Sequence, residues 1–328
     1  MLASHEYSRF HIVAGYQLHG GFDAQGNYVS PRSLYRLPAI CAWTESLMAR
    51  GGTLLDCSSL LQGPHYPTVA QQKFLLSVGV EQSLWNSITR SGLVEADGVK
   101  FASLTAPDFQ EIVEEDLSNT ATAHLNRGLL LAHGLDEGER GHDLMWLAIR
   151  DLLFGRNRFP EPCVPARAPR SVQGQVARQM PLIPEPYEKF LLLLMEVLMF
   201  EVLAENFFDF CTTVLEDPAT FTDRKDGAIH AVQIINHIRQ DERLHVGYLN
   251  LVLSELRTAT FHGQDGTRIK AAKLIDDFWV RRLAKRAARN RRDGPERMQQ
   301  EIAGLLLALP DGADQVESFN RLGDVSSG

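Results

Sequence analysis

Apolar residues recur along this chain with the spacing of α-helices. Over several long stretches every third or fourth position is apolar, which places those residues on one helix face. No stretch of useful length alternates apolar and polar residues as a half-buried β-strand does. The pattern predicts helices over residues 38–50, 66–91, 118–154, 187–216, 226–258 and 267–308. We therefore expect an all-α protein.

Turn-forming and proline-rich stretches separate these helices. An insertion at 92–117, with a short helix at 107–116, interrupts the first long helix pair, and a proline-rich crossover at 160–186 leads to the second pair. Two helix pairs joined by one long crossover predict a four-helix bundle. The expected organisation is an N-terminal extension at 1–63, the bundle at 64–260, a basic helical region at 261–310 and a disordered tail at 311–328.

Two of the predicted helices carry a Glu-x-x-His pair on their apolar face. The pairs are Glu139 with His142 and Glu242 with His245. Residues three apart share a helix face, so a carboxylate oxygen and an imidazole nitrogen can hold one metal ion together. A single pair has a plain alternative, a solvent-facing ion pair. Two pairs on apolar stripes favour a metal site, because a buried glutamate is costly unless it is paired or binds a metal.

Each partner helix offers one glutamate on its apolar side. Glu81 is the only acidic residue of the helix at 66–91, and Glu201 lies within the most apolar helix. Glu201 lies 15 residues before the end of its helix, and Glu242 lies 16 residues after the start of the next. At a rise of about 1.5 Å per residue, the two glutamates meet at one level of an antiparallel pair.

Two of these ligand positions have alternatives. A π-bulge at one of the nearby glycines would bring Glu137 into the place of Glu139. On the partner helix, Glu205 ranks after Glu201 because it lies only 11 residues from the helix end. His133 also lies near the predicted metal level.

The order of these residues resembles that of a known superfamily. The pattern Glu81, Glu139-x-x-His142, Glu201 and Glu242-x-x-His245 is similar to that of the ferritin-like di-iron carboxylate proteins. These include ribonucleotide reductase small subunits, acyl carrier protein desaturases and arylamine N-oxygenases. The resemblance covers about residues 66–258 and indicates no subfamily. It implies a ferritin-like four-helix bundle, to which the apolar pattern outside this range adds N- and C-terminal helices.

The resemblance also implies a function, that of an O2-activating non-haem di-iron oxidase or oxygenase. Two iron ions, with manganese as the alternative, suit a carboxylate-rich site with two nitrogen ligands better than zinc or copper does. O2 would be the co-substrate in hydroxylation, desaturation or N-oxygenation of a small organic or carrier-bound molecule. Without a flavin or nicotinamide motif, the electrons would come from an external donor.

Three other interpretations stay open. The chain could be a non-enzymatic ferritin-like metal-binding or storage protein, a haem-oxygenase-like di-iron oxidase, or a helical scaffold without metal. Four aromatic residues near the predicted site are interpreted first as core and only second as the wall of a substrate cavity. They are Trp146, Phe200, Phe207 and Phe208.

Composition and charge narrow the expected partners. A net charge of −8 gives no reason to expect nucleic-acid binding. The most apolar run, 190–204, contains Glu196 and Glu201, which is typical of a buried helix and not of a membrane span. Scattered cysteines and the lack of a signal-peptide pattern predict a cytoplasmic protein.

The basic run at 281–297 is a solvated helix face or a dock for an acidic carrier protein, and a homodimer is left open.

Overall fold

The computed structural model describes residues 10–20, 28, 33–62, 65–138, 140–162 and 178–324, without the side chains of 33–35, 287–295 and 324. This part of the chain is predominantly helical, which confirms the all-α prediction. The helices are α1 (Ser33–Ala49), α2 (Val69–Ser77), α3 (Gln82–Gly98), α4 (Leu129–Glu137), α5 (His142–Phe154), α6 (Glu185–Leu215), α7 (Lys225–Thr258), α8 (Ala272–Leu307) and α9 (Gly312–Asp324).

Two short antiparallel hairpins accompany the helices. One pairs β1 (His11–Val13) with β2 (Tyr16–Leu18), and the other pairs β3 (Thr260–His262) with β4 (Arg268–Lys270). Strands of three residues are too short to show an alternating pattern, so the sequence did not predict them.

The long helices pack around two apolar clusters. α6 packs along α7, and α5 packs against both α3 and α7, while the short α4 contacts α3, α5 and α7. Along α7, Ile238 belongs to one apolar cluster and Leu249 to the other. Glu242 and His245 lie between these two residues in sequence and are also buried. The fold therefore places a polar layer between two apolar layers.

Two helices, α2 and α3, replace the single helix predicted at 66–91, and α3 ends later in the sequence than that helix was predicted to end. α2 ends at Ser77, and Gly79 follows with a φ of 81°, a left-handed conformation that suits glycine. α3 then runs through Gly92, where the sequence predicted a stop. A Cβ on Gly92 would lie 3.0 Å from the carbonyl oxygen of Asp143, so this glycine permits close packing of α3 on α5.

The predicted helix at 118–154 is also interrupted. It begins as a 3-10 turn (Thr122–Arg127), continues as α4 and restarts as α5 after a four-residue break. Within the break Arg140 has a φ of 82°, which no helix accommodates. The short helix predicted at 107–116 is only a 3-10 turn, Phe109–Glu111. The proline-rich crossover lies partly outside the described residues, at 163–177.

The tail predicted to be disordered forms a docked helix over most of its length. In α9 the side chain of Phe319 is buried in a small apolar cluster with Leu75 and Ile302. The side-chain nitrogen of Gln71 donates a hydrogen bond to the carbonyl oxygen of Phe319 (3.1 Å). The tail has few apolar residues, so its helical face was not evident in the sequence.

We expect Phe319→Ala to destabilise the protein by about 3 kcal/mol, the usual cost of removing a buried ring from a packed site. Chemical denaturation monitored by circular dichroism measures this loss. Asn320→Ala, at an exposed neighbour, is the matched control and should change stability by less than about 0.5 kcal/mol. Equal stability of both variants would show that α9 is not docked.

Within the described residues, none of the helices combines the length and apolar character needed to cross a lipid bilayer.

Candidate metal centre

Carboxylates and imidazoles from five helices converge in the polar layer. They form two groups, one of His133, Glu137, Glu201 and His245, the other of Glu95, Glu137, His142 and Glu242. Within each group the ligand atoms all lie within 4.8 Å of one another. Each group could therefore hold a metal ion, and Glu137 belongs to both.

Three central atoms of this cluster approach one another without forming correctly directed hydrogen bonds, whereas His245 Nδ1 forms a hydrogen bond with Glu242 Oε2 (2.9 Å). His142 Nδ1 lies 2.9 Å from Glu242 Oε1 and 3.7 Å from Glu137 Oε1. All three atoms are buried and have no hydrogen-bond partner within the described residues. Buried polar atoms are rarely left unsatisfied. Polar atoms that face a common centre at these distances are an arrangement that a cation would satisfy.

Two histidines use the opposite ring nitrogen to bind an outer carboxylate. His142 Nε2 lies 3.2 Å from Asp241 Oδ2, and His245 Nε2 lies 3.2 Å from Asp136 Oδ2. An ionised carboxylate only accepts hydrogen bonds, so each Nε2 carries a hydrogen and donates it. Burial lowers the pKa of both rings, but the neighbouring carboxylates outweigh it and hold each pKa above the usual value. A bound cation would replace the Nδ1 proton, and the Nδ1 lone pair would then face the centre of the cluster. Such carboxylate–histidine pairs are typical of metal ligands.

The third histidine of the cluster, His133, is held differently. Its Nδ1 lies 2.8 Å from the hydroxyl of Tyr248, and its Nε2 lies 3.4 Å from Glu201 Oε1. Its ring stacks on His245 with centroids 3.9 Å apart, and Phe101 stacks at 4.5 Å. Burial and the neighbouring His245 hold the pKa of His133 well below its usual value, which favours a neutral ring able to bind a cation.

The outer carboxylates are themselves anchored. Asp136 is fully buried and forms an ion pair with Arg36 (2.5 Å). Asp241, also fully buried, accepts a hydrogen bond from the hydroxyl of Tyr28 (2.9 Å). Tyr28 stacks on His237 with ring centroids 4.1 Å apart. The ring orientation of the two central histidines is thus fixed from outside the cluster.

These contacts run crosswise between α7 and the two consecutive helices α4 and α5. Asp136 precedes Glu137 on α4 and binds His245 of α7, whereas Asp241 precedes Glu242 on α7 and binds His142 at the start of α5. Each Asp-Glu dipeptide therefore provides one inner carboxylate and one outer carboxylate. The sequence analysis recognised the glutamates but did not assign a role to either aspartate.

We expect Asp241→Asn to weaken metal binding about 10–100-fold, the usual effect of removing an outer carboxylate from a histidine ligand. A competition titration against a chelator of known affinity measures this change. Asp209→Asn is the matched control, because Asp209 is exposed and pairs only with Arg239 in the described structure. Equal metal affinity of both variants would contradict a ligand role for His142.

The structure brings together several of the residues that the sequence predicted. Those in the cluster are His142, Glu201, Glu242, His245 and the alternative Glu137. Glu139, the first choice over Glu137, lies outside the described residues.

Two predicted candidates lie elsewhere. Glu81 is outside the cluster, at the N-terminal end of α3, where its partly exposed carboxylate lies 3.3 Å from Arg158. The break after α2 shifted this part of the chain relative to the uninterrupted helix that was predicted. The alternative Glu205 points to the surface and pairs with Arg239 (3.1 Å).

Glu137 enters the cluster because the helix stops immediately after it. The loop between α4 and α5 separates Glu137 and His142 by five positions, where the second motif has three. Gly141 makes this turn possible, since a Cβ there would lie 1.9 Å from the carbonyl oxygen of Asp136. A break between α4 and α5, and not the π-bulge considered as an alternative, brings Glu137 into the cluster.

The sequence analysis missed Glu95 and gave His133 no role. Glu95 was placed in the insertion because α3 was predicted to end before Gly92. Its position seven residues after the buried Ile88 was a usable signal, because that spacing returns to the same helix face. Gly98 follows one turn later, and a Cβ there would lie 2.7 Å from Glu137 Cγ. His133 precedes Glu137 by four residues and shares its face.

The carboxylates of the cluster repel one another electrostatically. Removal from water raises the pKa of Glu137 and Glu201 well above the usual value, and neighbouring glutamates raise them further. Removal from water also raises the pKa of Glu95. For Glu242 the same effect is outweighed by His245 and His142, so its pKa is well below the usual value. Several carboxylates in so small a volume require protons or a cation.

A cavity of about 350 Å³ adjoins one side of the cluster. Glu95, His133, Glu137 and Glu201 all contribute to its lining. The four aromatic residues interpreted first as core, Trp146, Phe200, Phe207 and Phe208, also line it.

Comparison with protein-family models, curated proteins and solved structures finds no match to this chain. The chemical interpretation of the centre therefore rests on its own residues.

Proposed function

We propose that this chain is an O2-activating non-haem oxidase or oxygenase with two iron ions. The observation that supports this most is the pair of four-residue groups that share Glu137. One ion would lie in each group, and Glu137 would contact both. If all four glutamates of the cluster are ionised, their charge equals that of two divalent cations.

The types of ligand favour iron among the common metals. The cluster offers carboxylate oxygens and three imidazoles, without a thiolate among its described residues. Such mixed oxygen and nitrogen sites suit iron or manganese, whereas zinc and copper favour more nitrogen or sulfur. Iron is our choice because an oxidase needs a metal that changes its oxidation state.

The order of the helices supports a ferritin-like connectivity. Ligands come from α3, from α4 and the start of α5, from α6 and from α7. A long connection from Gly155 to Pro184 separates the first two ligand-bearing segments from the last two. This is the order expected of a four-helix bundle with one crossover.

The chain's own residues would hold, orient and shield the metals. Bound iron would supply the reduction of O2 and the oxidation of a substrate beside it. Asp136 and Asp241 keep the Nδ1 atoms of His245 and His142 directed inward. The apolar clusters on both sides of the polar layer exclude water, which strengthens the attraction between carboxylates and cations.

Electrons and substrate would come from outside the chain. We propose an external reductant, since the sequence carries no flavin or nicotinamide motif. An acidic carrier protein at the basic run of α8 has weaker support. Arg281 pairs with Asp277 and Arg282 pairs with Glu196, so part of the positive charge is already neutralised.

The test is anaerobic loading with ferrous iron followed by mixing with O2. We expect about two iron ions per chain, rapid O2 consumption and a transient visible absorption band. Protein loaded with zinc is the control and should consume no O2. Failure to bind iron would overturn the proposal entirely. Binding of iron without O2 consumption beyond that of free iron would favour storage over catalysis.

A further inference from the structure

The cavity beside the cluster lies mainly between α3 and α6. Val94 and Gly98 contribute from α3, and Val197 and Ala204 contribute from α6. Because cluster residues lie in its lining, a molecule bound in the cavity would sit directly beside the proposed metals. Ligand pockets typically have volumes of about 300–1,000 Å³, so this cavity suits a small molecule.

Aromatic rings form much of the cavity wall. The Trp146 ring lies 5.3 Å from Phe207 and 5.9 Å from Phe208, measured between centroids. Phe101 lines the cavity while it stacks on His133. Aromatic pairs with offset or edge-to-face geometry gain about 0.5–1.5 kcal/mol beyond the area they bury. A wall of this kind favours a ligand that is itself a ring.

The charged residues of the wall already have partners. Arg90 is bound through both carboxylate oxygens of Glu301, at 3.0 and 2.8 Å. Asp97 pairs with Lys100 in the next turn. Among the described lining residues, no cation is left to neutralise an anionic ligand, while the cluster side of the cavity carries glutamates. Whether these glutamates are uncompensated or balanced by two divalent cations, the cavity offers no net positive charge to a negatively charged molecule.

We infer that this cavity binds a small, neutral, ring-containing molecule, which would be the substrate class of the proposed oxidase. The substrate assignment rests on the proposed function, but binding to the cavity does not. A cavity of about 150 Å³ holds one benzene molecule, so one of about 350 Å³ has room for a two-ring molecule.

The test uses indole as the neutral probe and indole-3-acetate as its anionic counterpart. Isothermal titration and ligand-observed NMR are carried out on the full chain, first without metal. We expect indole to bind with a Kd of about 0.1–1 mM, as suits a ligand of this size. Indole-3-acetate should bind at least about tenfold more weakly, because the cavity offers it no cation.

Two variants locate the binding. Ala204→Trp fills the cavity and should weaken indole binding at least about tenfold. Ile229→Trp adds the same ring at an exposed position on α7 and should leave the affinity unchanged. Val197→Phe, a smaller change in the same wall, replaces Ala204→Trp if that variant does not fold by circular dichroism.

Unchanged indole binding in the cavity-filling variant would overturn the inference, as would equal binding of the anionic probe or no binding of indole. Because these measurements use metal-free protein, they stand apart from the iron test. Indole binding without O2 consumption would support the cavity as a binding site and would reject the proposed oxidase function. O2 consumption without indole binding would reject the substrate class alone.

Discussion

The Glu137→Ala variant is expected to lose both metal ions, although the substitution removes only one carboxylate. Glu137 is the one residue common to both ligand groups, and its Oε1 lies 3.1 Å from His245 Nδ1 and 3.7 Å from His142 Nδ1. Without it each group keeps three ligands and loses its link to the other. We expect metal affinity to fall by more than about 100-fold, beyond the effect of an outer-carboxylate change. Metal analysis after gel filtration measures the loss.

The matched control is Glu81→Ala, at the glutamate that sequence pattern favoured and the structure places outside the cluster. This variant should retain both ions. Without metal, Glu137→Ala should unfold at a temperature no lower than the unchanged protein, because the substitution removes a crowded buried carboxylate. Full metal content in Glu137→Ala, or equal losses in both variants, would contradict a shared-ligand role.

Gly141→Ala should disrupt the junction between α4 and α5, and with it the centre. The added Cβ would lie 1.9 Å from the carbonyl oxygen of Asp136 and 2.9 Å from that of Gly138. Backbone atoms cannot move aside as a flexible side chain can, so the turn must change. His142 follows immediately and would leave its place. We expect a destabilisation of about 3 kcal/mol or more and a loss of metal binding.

Gly247→Ala is the appropriate comparison because it also lies beside a cluster residue. Its added Cβ would meet only Ile40 Cγ2, at an ordinary contact distance of 3.6 Å. Alanine within a helix is favoured over glycine by about 0.5–1 kcal/mol, so this variant should be neutral or slightly stabilised. Thermal unfolding and metal analysis of the two variants distinguish a steric requirement at Gly141 from general sensitivity to glycine substitution.

The second half of the region predicted to form a bundle, 64–260, was close to what the sequence predicted. α6 was predicted at 187–216 and spans Glu185–Leu215, and α7 was predicted at 226–258 and spans Lys225–Thr258. Both helices are long, and their apolar positions continue without interruption. Residues three or four apart on such helices share a face, so Glu242 and His245 were brought together by local geometry alone.

The first half was predicted less well because its interruptions depend on tertiary contacts. Gly92 lies inside a helix because α5 approaches it closely, whereas Gly141 lies in the turn before α5, against the backbone of Asp136. The sequence alone does not reveal whether a glycine will lie inside a helix or in a turn between two helices. The choice of Glu81 over Glu95 followed from that ambiguity, whereas Glu139 lies outside the described residues and its alternative Glu137 lies in the cluster.

The crosswise contacts of Asp136 and Asp241 have a consequence for the order of metal loading. A first ion bound by Glu137 and His245 would add a second link between α4 and α7, beside the bond between His245 and Asp136. That fixed geometry already presents Glu137 to the second group, so the second ion meets a prepared site. Loading should therefore be cooperative, and protein that carries a single ion should be scarce at every ratio of metal to chain.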